Sequence, residues 1–472
     1  MSASRRGVLQ GALAVGAAAL PMPGAAAEAS PWDQVAAILK RIKPPVFPKR
    51  DFKVTDYFTD YGAGPVSLTD YTPAFAQTIA ACHASGGGRV VVPAGDYKTE
   101  PIVLKSNVNL HLEKGATIRF STDPKAYLPL VFTRWEGVEL MNYSPLIYAF
   151  ECENIAITGE GTLDGQASET QWWPWKGKAA FGWRDGMPKQ DEARNRLFAM
   201  AEKGVPVAER LFGDNCYLRP MFIQPYRCKN VLIEGVTIRN APMWEVHPVL
   251  CSNVTVRGLT IDSAGPNTDG CDPESCRDVL IEDCHFNTGD DCIAIKSGRN
   301  ADGRRVAVAS ENIVIRNCHM KNGHGAVTVG SEISGGVRNV FAERCTMSSP
   351  ALVHALRVKN NAMRGGVLEH LYFRDIAIGQ VAHAVLSIDE NYEEGPNGPF
   401  KPIVRDVRVE RVVSGKSALA IDAQGYADAP IEGVVLKNCD FSNVAGGSIV
   451  KNVRGLKFAH VTINGKVASA PG

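Results

Sequence analysis

A nine-residue unit that recurs along most of the chain constrains the fold more than any other feature. One copy reads Asn230-Val-Leu-Ile-Glu-Gly-Val-Thr-Ile238, and another reads Asn312-Ile-Val-Ile-Arg-Asn-Cys-His-Met320. Within each copy, apolar and polar residues alternate with the two-residue period of a β-strand. The copies begin at Asn154, Asn230, Asn253, Asp278, Asn312, Asn339, His370, Asp406, Gly433 and Gly455. Because the unit is constant while the intervals vary, we predict stacked coils joined by loops of different length.

Stacking the copies produces two apolar columns. The first contains Val231, Val254, Val279, Ile313, Val340, Leu371, Val407, Val434 and Leu456, and the second contains Val236, Leu259, Cys284, Cys318, Cys345, Ile376, Val412, Cys439 and Val461. One coil cannot bury such a face alone, but neighbouring coils bury it together. We therefore predict an all-β fold, a right-handed parallel β-helix. A doubly wound α/β fold competes, but it requires crossover helices, and the intervals carry no repeated helical pattern.

The first 27 residues are predicted to be an export signal. The pair Arg5-Arg6 precedes a small apolar run, and Ala25-Ala26-Ala27 offers a cleavage site, which is typical of twin-arginine signals. An ordinary secretory signal is the alternative. We expect an exported protein, periplasmic or secreted. No later stretch reaches about 20 apolar residues, so no membrane span is predicted, and the formal net charge of +1 gives no indication of nucleic-acid binding.

The remaining residues, 28–472, are predicted to form a single β-helix catalytic domain. Residues 28–100 are expected to form an N-terminal capping region with two helices, one after Ser30 and one over Thr72 to Ala84, and one of these helices could cover the open end of the β-helix. Residues 166–220 interrupt the repeat, and we interpret them as a loop and helix insertion. The insertion carries four tryptophans, Trp172, Trp173, Trp175 and Trp183, which either stack on sugars or pack the loop against the coils.

Twelve cysteines raise the question of disulfides in an exported protein. Four of them, Cys284, Cys318, Cys345 and Cys439, occupy the second apolar column in place of aliphatic residues. We interpret them as small buried hydrophobic residues. A local bridge between Cys271 and Cys276 remains open.

Chemically active side chains follow the repeat strands of successive copies. They are Asp269, Asp290, Asp291, His324, Arg357 and Lys359. Adjacent coils are separated by about 4.8 Å, so we expect these side chains to share one groove. Three close carboxylates cannot all ionise easily, so the pKa of one rises and that group can act as an acid. Arginine and lysine would anchor a carboxylate of the substrate.

Strand parity predicts which side chains face the groove. Leu356 and Val358 should face inward, so Arg357 and Lys359 face outward together. The same argument turns His324, Asp290 and Lys296 outward. Strict alternation would point Asp291 into the core, where a lone charge is costly. We predict a bend at Gly289-Asp290 that turns both carboxylates outward.

Four short motifs resemble the signature motifs of the glycoside hydrolase family 28 polygalacturonases, and they occur in the family's order. They are Asn267-Thr268-Asp269, Gly289-Asp290-Asp291-Cys292, Gly323-His324-Gly325 and Arg357-Val358-Lys359. The family usually has isoleucine at the position of Val358. The resemblance covers most of the chain and is weakest in the insertion.

The resemblance implies hydrolysis of α-1,4-galacturonide bonds with inversion, in polygalacturonate or oligogalacturonides, without a cofactor or metal. It implies that Asp290 is the general acid, that Asp269 and Asp291 activate water, and that His324 tunes the acid. Substrate binding would fall to Asn267, Lys296, Arg357, Lys359 and Tyr392. Inversion would need two carboxyl groups about 6.5–9.5 Å apart.

Other functions remain open on the sequence. A calcium-dependent pectate lyase, a rhamnogalacturonan-type hydrolase and a non-enzymatic polysaccharide-binding β-helix are the alternatives. We predict exo action, because the insertion and the loop from Gly298 to Arg305 could block one end of the groove. The basic residues Lys296, Arg299, Arg304 and Arg305 could extend an anion-binding groove or lie on a solvated loop. The oligomeric state is not indicated.

Overall fold

Strands from successive coils pair in parallel along almost the whole described chain. The computed structural model describes residues 30–58 and 70–471, so the predicted signal, residues 1–27, lies outside the described residues. Each coil adds its strands to the same parallel sheets, with a 23-stranded and a 6-stranded sheet as the largest. The predicted parallel β-helix is confirmed.

The strands before the second half of the chain are β1 (Asp51–Lys53), β2 (Gly88–Val92), β3 (Gly95–Thr99), β4 (Ile102–Val103), β5 (Val108–Leu112), β6 (Ala116–Phe120), β7 (Val131–Trp135), β8 (Val138–Asn142), β9 (Ile147–Phe150), β10 (Glu153–Gly159), β11 (Thr162–Asp164), β12 (Ile223–Tyr226), β13 (Lys229–Glu234) and β14 (Thr237–Arg239). The strands around the predicted site are β15 (Ser252–Arg257), β16 (Thr260–Ser263), β17 (Arg277–Glu282), β18 (His285–Thr288), β19 (Ile293–Ile295), β20 (Ser310–Arg316), β21 (His319–Met320), β22 (Gly323–Val329), β23 (Val337–Glu343), β24 (Thr346–Met347) and β25 (Leu352–Lys359). The last strands are β26 (Val367–Ile378), β27 (Ala384–Asp389), β28 (Ile403–Ser414), β29 (Leu419–Gln424), β30 (Ile431–Phe441), β31 (Ile449–Lys451), β32 (Val453–Arg454), β33 (Lys457–Ile463) and β34 (Lys466–Val467).

The helices are short and lie outside the coils. The α-helices are α1 (Asp33–Arg41), α2 (Thr72–Ala84), α3 (Asp191–Glu202) and α4 (Asn300–Val306). The 3-10 helices cover Val54–Tyr57, Pro124–Tyr127, Trp173–Lys176, Ala179–Phe181 and Val207–Glu209. Within residues 30–58 and 70–471, none of the helices has the length and apolarity that a membrane crossing requires.

The asparagine at the start of the repeat unit has a structural reason. Asn230 and Asn253 have φ values of 58° and 55°, in the left-handed region that asparagine tolerates better than most residues. Each side-chain amide also donates to the amide oxygen of the previous coil, at 2.8 Å from Asn230 to Asn154 and at 2.6 Å from Asn253 to Asn230. In the copies that begin with asparagine, this residue can both turn the chain and bond to the coil before it.

The predicted register of the first apolar column is confirmed. Val231 pairs with Val254, Val254 with Val279, and the ladder continues through successive coils to Val434. The members of both columns from Val231 to Val434 and from Val236 to Val461 are buried in one continuous core. All twelve cysteines are buried free thiols, so the local Cys271–Cys276 bridge is not formed.

The two N-terminal helices have different positions. Helix α2 has the predicted bounds, and Phe75, Ile79 and Cys82 join the main core beside the first strands. Helix α1 instead lies on the side of the β-helix, where Trp32, Val35 and Ile38 pack on a column of outward-facing apolar residues. That column contains Leu280, Val314, Phe341 and Tyr372. A capping function for residues 28–100 stays a prediction that now concerns α2.

The insertion leaves the coil after β11 and returns at β12. Its helix α3 buries Leu197 in a second, smaller apolar cluster with Trp135 and Leu140 of the antiparallel β7–β8 hairpin. A buried ion pair between Arg210 and Asp302, 2.7 Å apart, joins the insertion to α4. The hairpin, α3 and α4 thus form one wall beside the coils that carry the predicted site.

Candidate active site

A pocket of about 350 Å³ lies where the insertion meets the coils that carry the four motifs. Seven of the predicted site residues line it, namely Asn267, Asp269, Asp290, Lys296, His324, Lys359 and Tyr392. Asp291 and Arg357 lie behind this lining and contact each other, with Arg357 Nη1 at 3.4 Å from Asp291 Oδ1. Residues that are remote in sequence therefore converge because the coils are in register.

Three carboxylates lie together at the pocket. Asp269, Asp290 and Asp291 each place one oxygen within 4.8 Å of the others. The backbone explains this, because Gly270 N donates to Asp291 O and makes the two acid-bearing segments direct neighbours. The nearest oxygens are therefore closer than the about 6.5–9.5 Å separation that we expected for inversion.

The predicted bend at Gly289 and Asp290 is present, and Ile293 and Ile295 after it face the core. Asp291 is fully buried, yet its neighbours are polar and charged. Lys359 Nζ lies 2.7 Å from Asp291 Oδ2. Asp291 thus turns toward the outward-facing cations of β25 and not into the apolar core.

The motif around His324 is explained by close packing. Nδ1 of His324 lies 2.9 Å from Oδ1 of Asp290, while half of the imidazole stays exposed. Gly323 has a φ of 145°, and a Cβ there would lie 2.4 Å from Asp290 O. A Cβ on Gly325 would lie 2.9 Å from Asp291 Oδ1. Glycine on both sides of the histidine lets this strand approach both acids.

Lys296 links several acids beneath the pocket. Its Nζ lies 3.6 Å from Asp269 Oδ2, 3.6 Å from Asp272 Oδ2 and 3.3 Å from Glu332 Oε2, and it sits 4.2 Å from the centre of the Trp244 ring. The side chain is almost completely buried. Lys296 therefore serves first as a counter-ion for buried carboxylates.

The other members of the basic cluster do not extend an anion-binding groove. Arg299 is buried and pairs with Glu332 and Glu393 at 3.3 Å and 3.1 Å. Arg304 packs on the ring of Phe400, and Arg305 pairs with Glu139 and Asp302. These arginines hold α4 and its neighbours in place. The sequence alone does not show whether these arginines bind a ligand or pair within the protein, because most of the residues that they contact are remote in sequence.

Three tryptophans of the insertion pack the loop against the coils. Trp172 is buried against Tyr127 and Trp175, and Trp173 Nε1 donates to Ala241 O at 2.9 Å. None of the four tryptophans lines the pocket described above. The packing interpretation is thus favoured over sugar stacking for this set.

Sequence reasoning missed several residues of the pocket wall. They are Glu136, Lys176, Lys178, Phe181, Arg194, Trp244, Ser331, Glu332 and Glu393. It also missed Arg219, a fully buried arginine that donates to Asn267 Oδ1 at 2.9 Å and fixes that motif residue at the pocket. Most of these positions lie outside the repeat units, so periodicity carries no signal for them.

Comparisons with known proteins agree with this architecture. The sequence profile of glycosyl hydrolases family 28 matches residues 209–462. The crystal structure of a hyperthermoactive exopolygalacturonase from Thermotoga maritima is 44% identical, covers 92% of this chain and 96% of its own, and superposes with a TM-score of 0.88.

The chain belongs to glycosyl hydrolases family 28. An exo-poly-alpha-D-galacturonosidase of Dickeya chrysanthemi is 25% identical over 429 residues, which is 83% of this chain and 68% of the relative. A probable polygalacturonase of Vitis vinifera is 27% identical over 396 residues, which is 80% of this chain and 72% of the relative.

The acids of this family 28 protein are not equivalent electrostatically. Burial, with the neighbouring carboxylates of Asp272 and Asp290, raises the pKa of Asp269 well above its usual range. Burial would also raise the pKa of Asp290, but the hydrogen bond from His324 and the charge of Lys359 outweigh it and keep that pKa below its ordinary value. Among the three acids, the surroundings of Asp269 thus favour the protonated form most, whereas the family motif implies that Asp290 is the acid.

We expect Asp269→Asn to stabilise this glycoside hydrolase at neutral pH. Between the unfolded pKa of about 3.9 and the raised folded pKa, the folded state binds a proton that the unfolded state lacks, so stability falls as pH rises. The amide of asparagine does not ionise, so the variant avoids this loss of stability. We therefore expect the free energy of unfolding to rise by about 1 kcal/mol at pH 7. Urea unfolding of parent and variant at pH 4 and pH 7 measures the difference.

The exposed Glu160→Gln serves as the charge-matched control for that comparison. The stability gain of Asp269→Asn should be larger at pH 7 than at pH 4, while Glu160→Gln should change little at either. Equal gains at both pH values would contradict a raised pKa at Asp269.

Proposed function

We propose that this protein hydrolyses α-1,4-galacturonide bonds of polygalacturonate from a chain end. One observation carries the proposal: Asp269 and Asp290 line a pocket to which the insertion contributes a wall, and Asp291 lies directly behind them. Its volume of about 350 Å³ lies at the low end of the about 300–1,000 Å³ of small-molecule pockets. A pocket of that size suits a terminal sugar better than the middle of a polymer.

The proposed mechanism uses the acids in two roles. Asp290 lines the pocket and donates a proton to the leaving glycosidic oxygen, while Asp269 and Asp291 hold the attacking water and one of them accepts its proton. The water oxygen bonds to the anomeric carbon as the glycosidic bond breaks. Because burial favours the proton on Asp269, Asp290 receives a proton from Asp269 before the reaction, and oxygens within 4.8 Å allow this through one water.

The cations have two tasks in this proposal. Lys359 and Arg357 keep Asp291 ionised, because their charges outweigh the effect of burial on the pKa of Asp291. Lys359 also faces the pocket below the ring of Tyr392, 5.2 Å from its centre, where a uronate carboxylate can bind. Asn267 and Lys296 complete the binding surface.

The stereochemistry rests on the family resemblance and not on the carboxylate separation. Oxygens within 4.8 Å are closer than in the general inverting arrangement. A proton NMR spectrum of the first product decides the point. Inversion of an α-linkage gives the β-anomer first, and an initial α-anomer would show retention.

The acids are already paired with cations, which favours a hydrolase over a calcium-dependent lyase. Lys359 lies 2.7 Å from Asp291, His324 lies 2.9 Å from Asp290, and Lys296 lies 3.6 Å from Asp269. A calcium site prefers several carboxylate and carbonyl oxygens without adjacent positive charges. The three acids therefore match proton transfer better than calcium binding.

Product analysis tests the proposal directly. We expect polygalacturonate to yield galacturonate or another single short product from the first minutes, while the polymer shortens slowly. Fragments of intermediate length early in the reaction would contradict exo action. Unsaturated products that absorb ultraviolet light and are no longer formed with a chelator would identify a calcium-dependent lyase. Turnover of rhamnogalacturonan alone would identify a rhamnogalacturonan-type hydrolase. Binding of the polysaccharide without turnover would identify a non-enzymatic protein.

We also propose that the protein acts outside the cytoplasm, in the periplasm or after secretion. The Arg5-Arg6 pair and the following apolar run support a twin-arginine signal. Twelve buried free thiols are compatible with a route that exports folded protein. Fusion of residues 1–27 to a reporter that requires the twin-arginine route, with Arg5→Lys/Arg6→Lys as control, tests the signal.

A further inference from the structure

Lys176 is held rigidly at the edge of the pocket. It ends the 3-10 helix Trp173–Lys176, and the next residue, Gly177, has a φ of 76° and closes the helix. Trp173 anchors the helix to the coils through its hydrogen bond to Ala241 O at 2.9 Å, and Trp172 and Trp175 pack edge to face at 4.9 Å. The backbone position from which the Lys176 side chain extends is therefore set by the insertion.

Lys176 has no acid in direct contact. Among the described residues, no carboxylate oxygen lies within 4.0 Å of its Nζ, and its Nζ donates no hydrogen bond to another side chain or to the backbone. The acid beside it, Glu136, is already held by Arg194 at 2.7 Å and lies 3.9 Å from Arg299. Burial lowers the pKa of Lys176, and the charge of Glu136 offsets this only in part because Arg219 and Arg194 lower the pKa as well.

A half-buried ammonium with arginines around it is an anion site that a ligand completes. Other buried cations of the pocket already have partners, since Lys359 binds Asp291 and Lys296 lies near three acids. Lys178 also lines the pocket, but it is exposed at the surface. Among these lysines, Lys176 combines a pocket position, partial burial and the lack of a carboxylate in direct contact.

The acids lie between two sets of cations. The helix that ends at Lys176 is anchored through Trp173 to Ala241, which follows β14, one coil before Asp269 and two coils before Asp290 on the N-terminal side. Lys359 and Arg357 project from β25, two coils beyond the Asp290 strand on the C-terminal side. A polymer with a carboxylate on every sugar can place one carboxylate on each side of the scissile bond.

We propose that Lys176 is a specificity-determining residue that binds the carboxylate of the terminal uronate, on the opposite side of the scissile bond from Lys359. The inference rests on the proposed function and adds the requirement that the terminal sugar itself be acidic. Phe181, Arg194 and Glu136 line the same pocket as Lys176, and its volume of about 350 Å³ suits the last sugar of the chain.

Two trisaccharides test this inference. One is trigalacturonate, and the other carries galactose in place of its non-reducing terminal galacturonate. We expect the parent to prefer the fully acidic substrate by roughly ten- to a hundred-fold in kcat/KM, the scale of a charge-assisted hydrogen bond. Lys176→Met should abolish most of this preference, and Lys176→Arg should retain it.

Lys203→Met removes an exposed charge from the same insertion and should leave the preference unchanged. If Lys176→Met slows both substrates equally, its role is structural and the inference fails. It also fails if the parent cleaves both substrates equally well. A parent that cleaves neither these trisaccharides nor polygalacturonate would overturn the proposed function instead.

Discussion

Asp290→Asn should lower kcat/KM on polygalacturonate by about 10²–10⁴-fold, the usual contribution of a general acid, and should spare an aryl galacturonide. An aryl leaving group departs without protonation, so a variant that lacks only the acid keeps its activity on that substrate. Asparagine preserves the shape of the side chain that accepts from His324 at 2.9 Å and from Asp291 N at 3.0 Å. Initial rates on both substrates measure the effect.

Asp269→Asn is the matched variant, and it should lose activity on both substrates because it removes a group that activates water. If instead Asp269→Asn keeps its activity on the aryl galacturonide and Asp290→Asn loses it, then Asp269, whose pKa is raised, is the general acid. The two variants therefore decide between the assignment from the family motif and the assignment from the electrostatics.

The repeat predicted most of the architecture because the physics of stacking acts at every copy. Apolar residues at alternate positions must face the core, and the asparagine that starts a copy such as Asn230 bonds to the previous coil, so Val231 and Asn230 set the register of their neighbours. The same parity placed Lys359 and His324 outside the core. Strand parity alone would point Asp291 into the apolar core. The free-energy cost of burying a charge there predicts the bend at Gly289 and Asp290 that the structure contains.

The position of α1 on the flank of the β-helix is encoded in the sequence by a third apolar column, which faces outward. Leu280, Val314 and Phe341 point away from the core, yet they are apolar in three consecutive copies. An outward column of apolar residues requires a cover, and Val35 and Ile38 of α1 provide it. A second apolar column on the outer face therefore predicts a helix packed on the side of a β-helix.

The pocket wall could not be predicted from periodicity. Lys176, Glu136 and Arg219 lie in segments without a repeat, and their neighbours come from other coils. Whether Arg299 binds a ligand or Glu332 depends on a contact 33 residues away along the chain. Composition shows that charges are present, but only the three-dimensional arrangement shows which of them are already paired.

Lys359→Met should be among the most destabilising single substitutions in the pocket. Its Nζ lies 2.7 Å from Asp291 Oδ2, and both side chains are almost fully buried. Removing one partner of a buried ion pair leaves the other charge uncompensated, at a cost of about 3–5 kcal/mol. Arg357 compensates poorly because its Nη1 is 3.4 Å away and its side chain is 14% exposed. Arg357→Met should therefore cost less, as urea unfolding at pH 7 will measure.

The double variant Lys359→Met/Asp291→Asn separates charge from packing. An amide does not need a counter-ion, so the double variant should regain most of the stability that Lys359→Met loses, while activity stays low. The pH dependence has a defined sign, because Lys359 holds the pKa of Asp291 below its ordinary value against the effect of burial. That stabilisation is present above the unfolded pKa and disappears as pH falls through the folded pKa. The stabilities of parent and Lys359→Met should thus converge toward low pH. A stability difference that stays constant with pH would show that packing and not charge makes Lys359 important. A double variant that is no more stable than Lys359→Met would show the same.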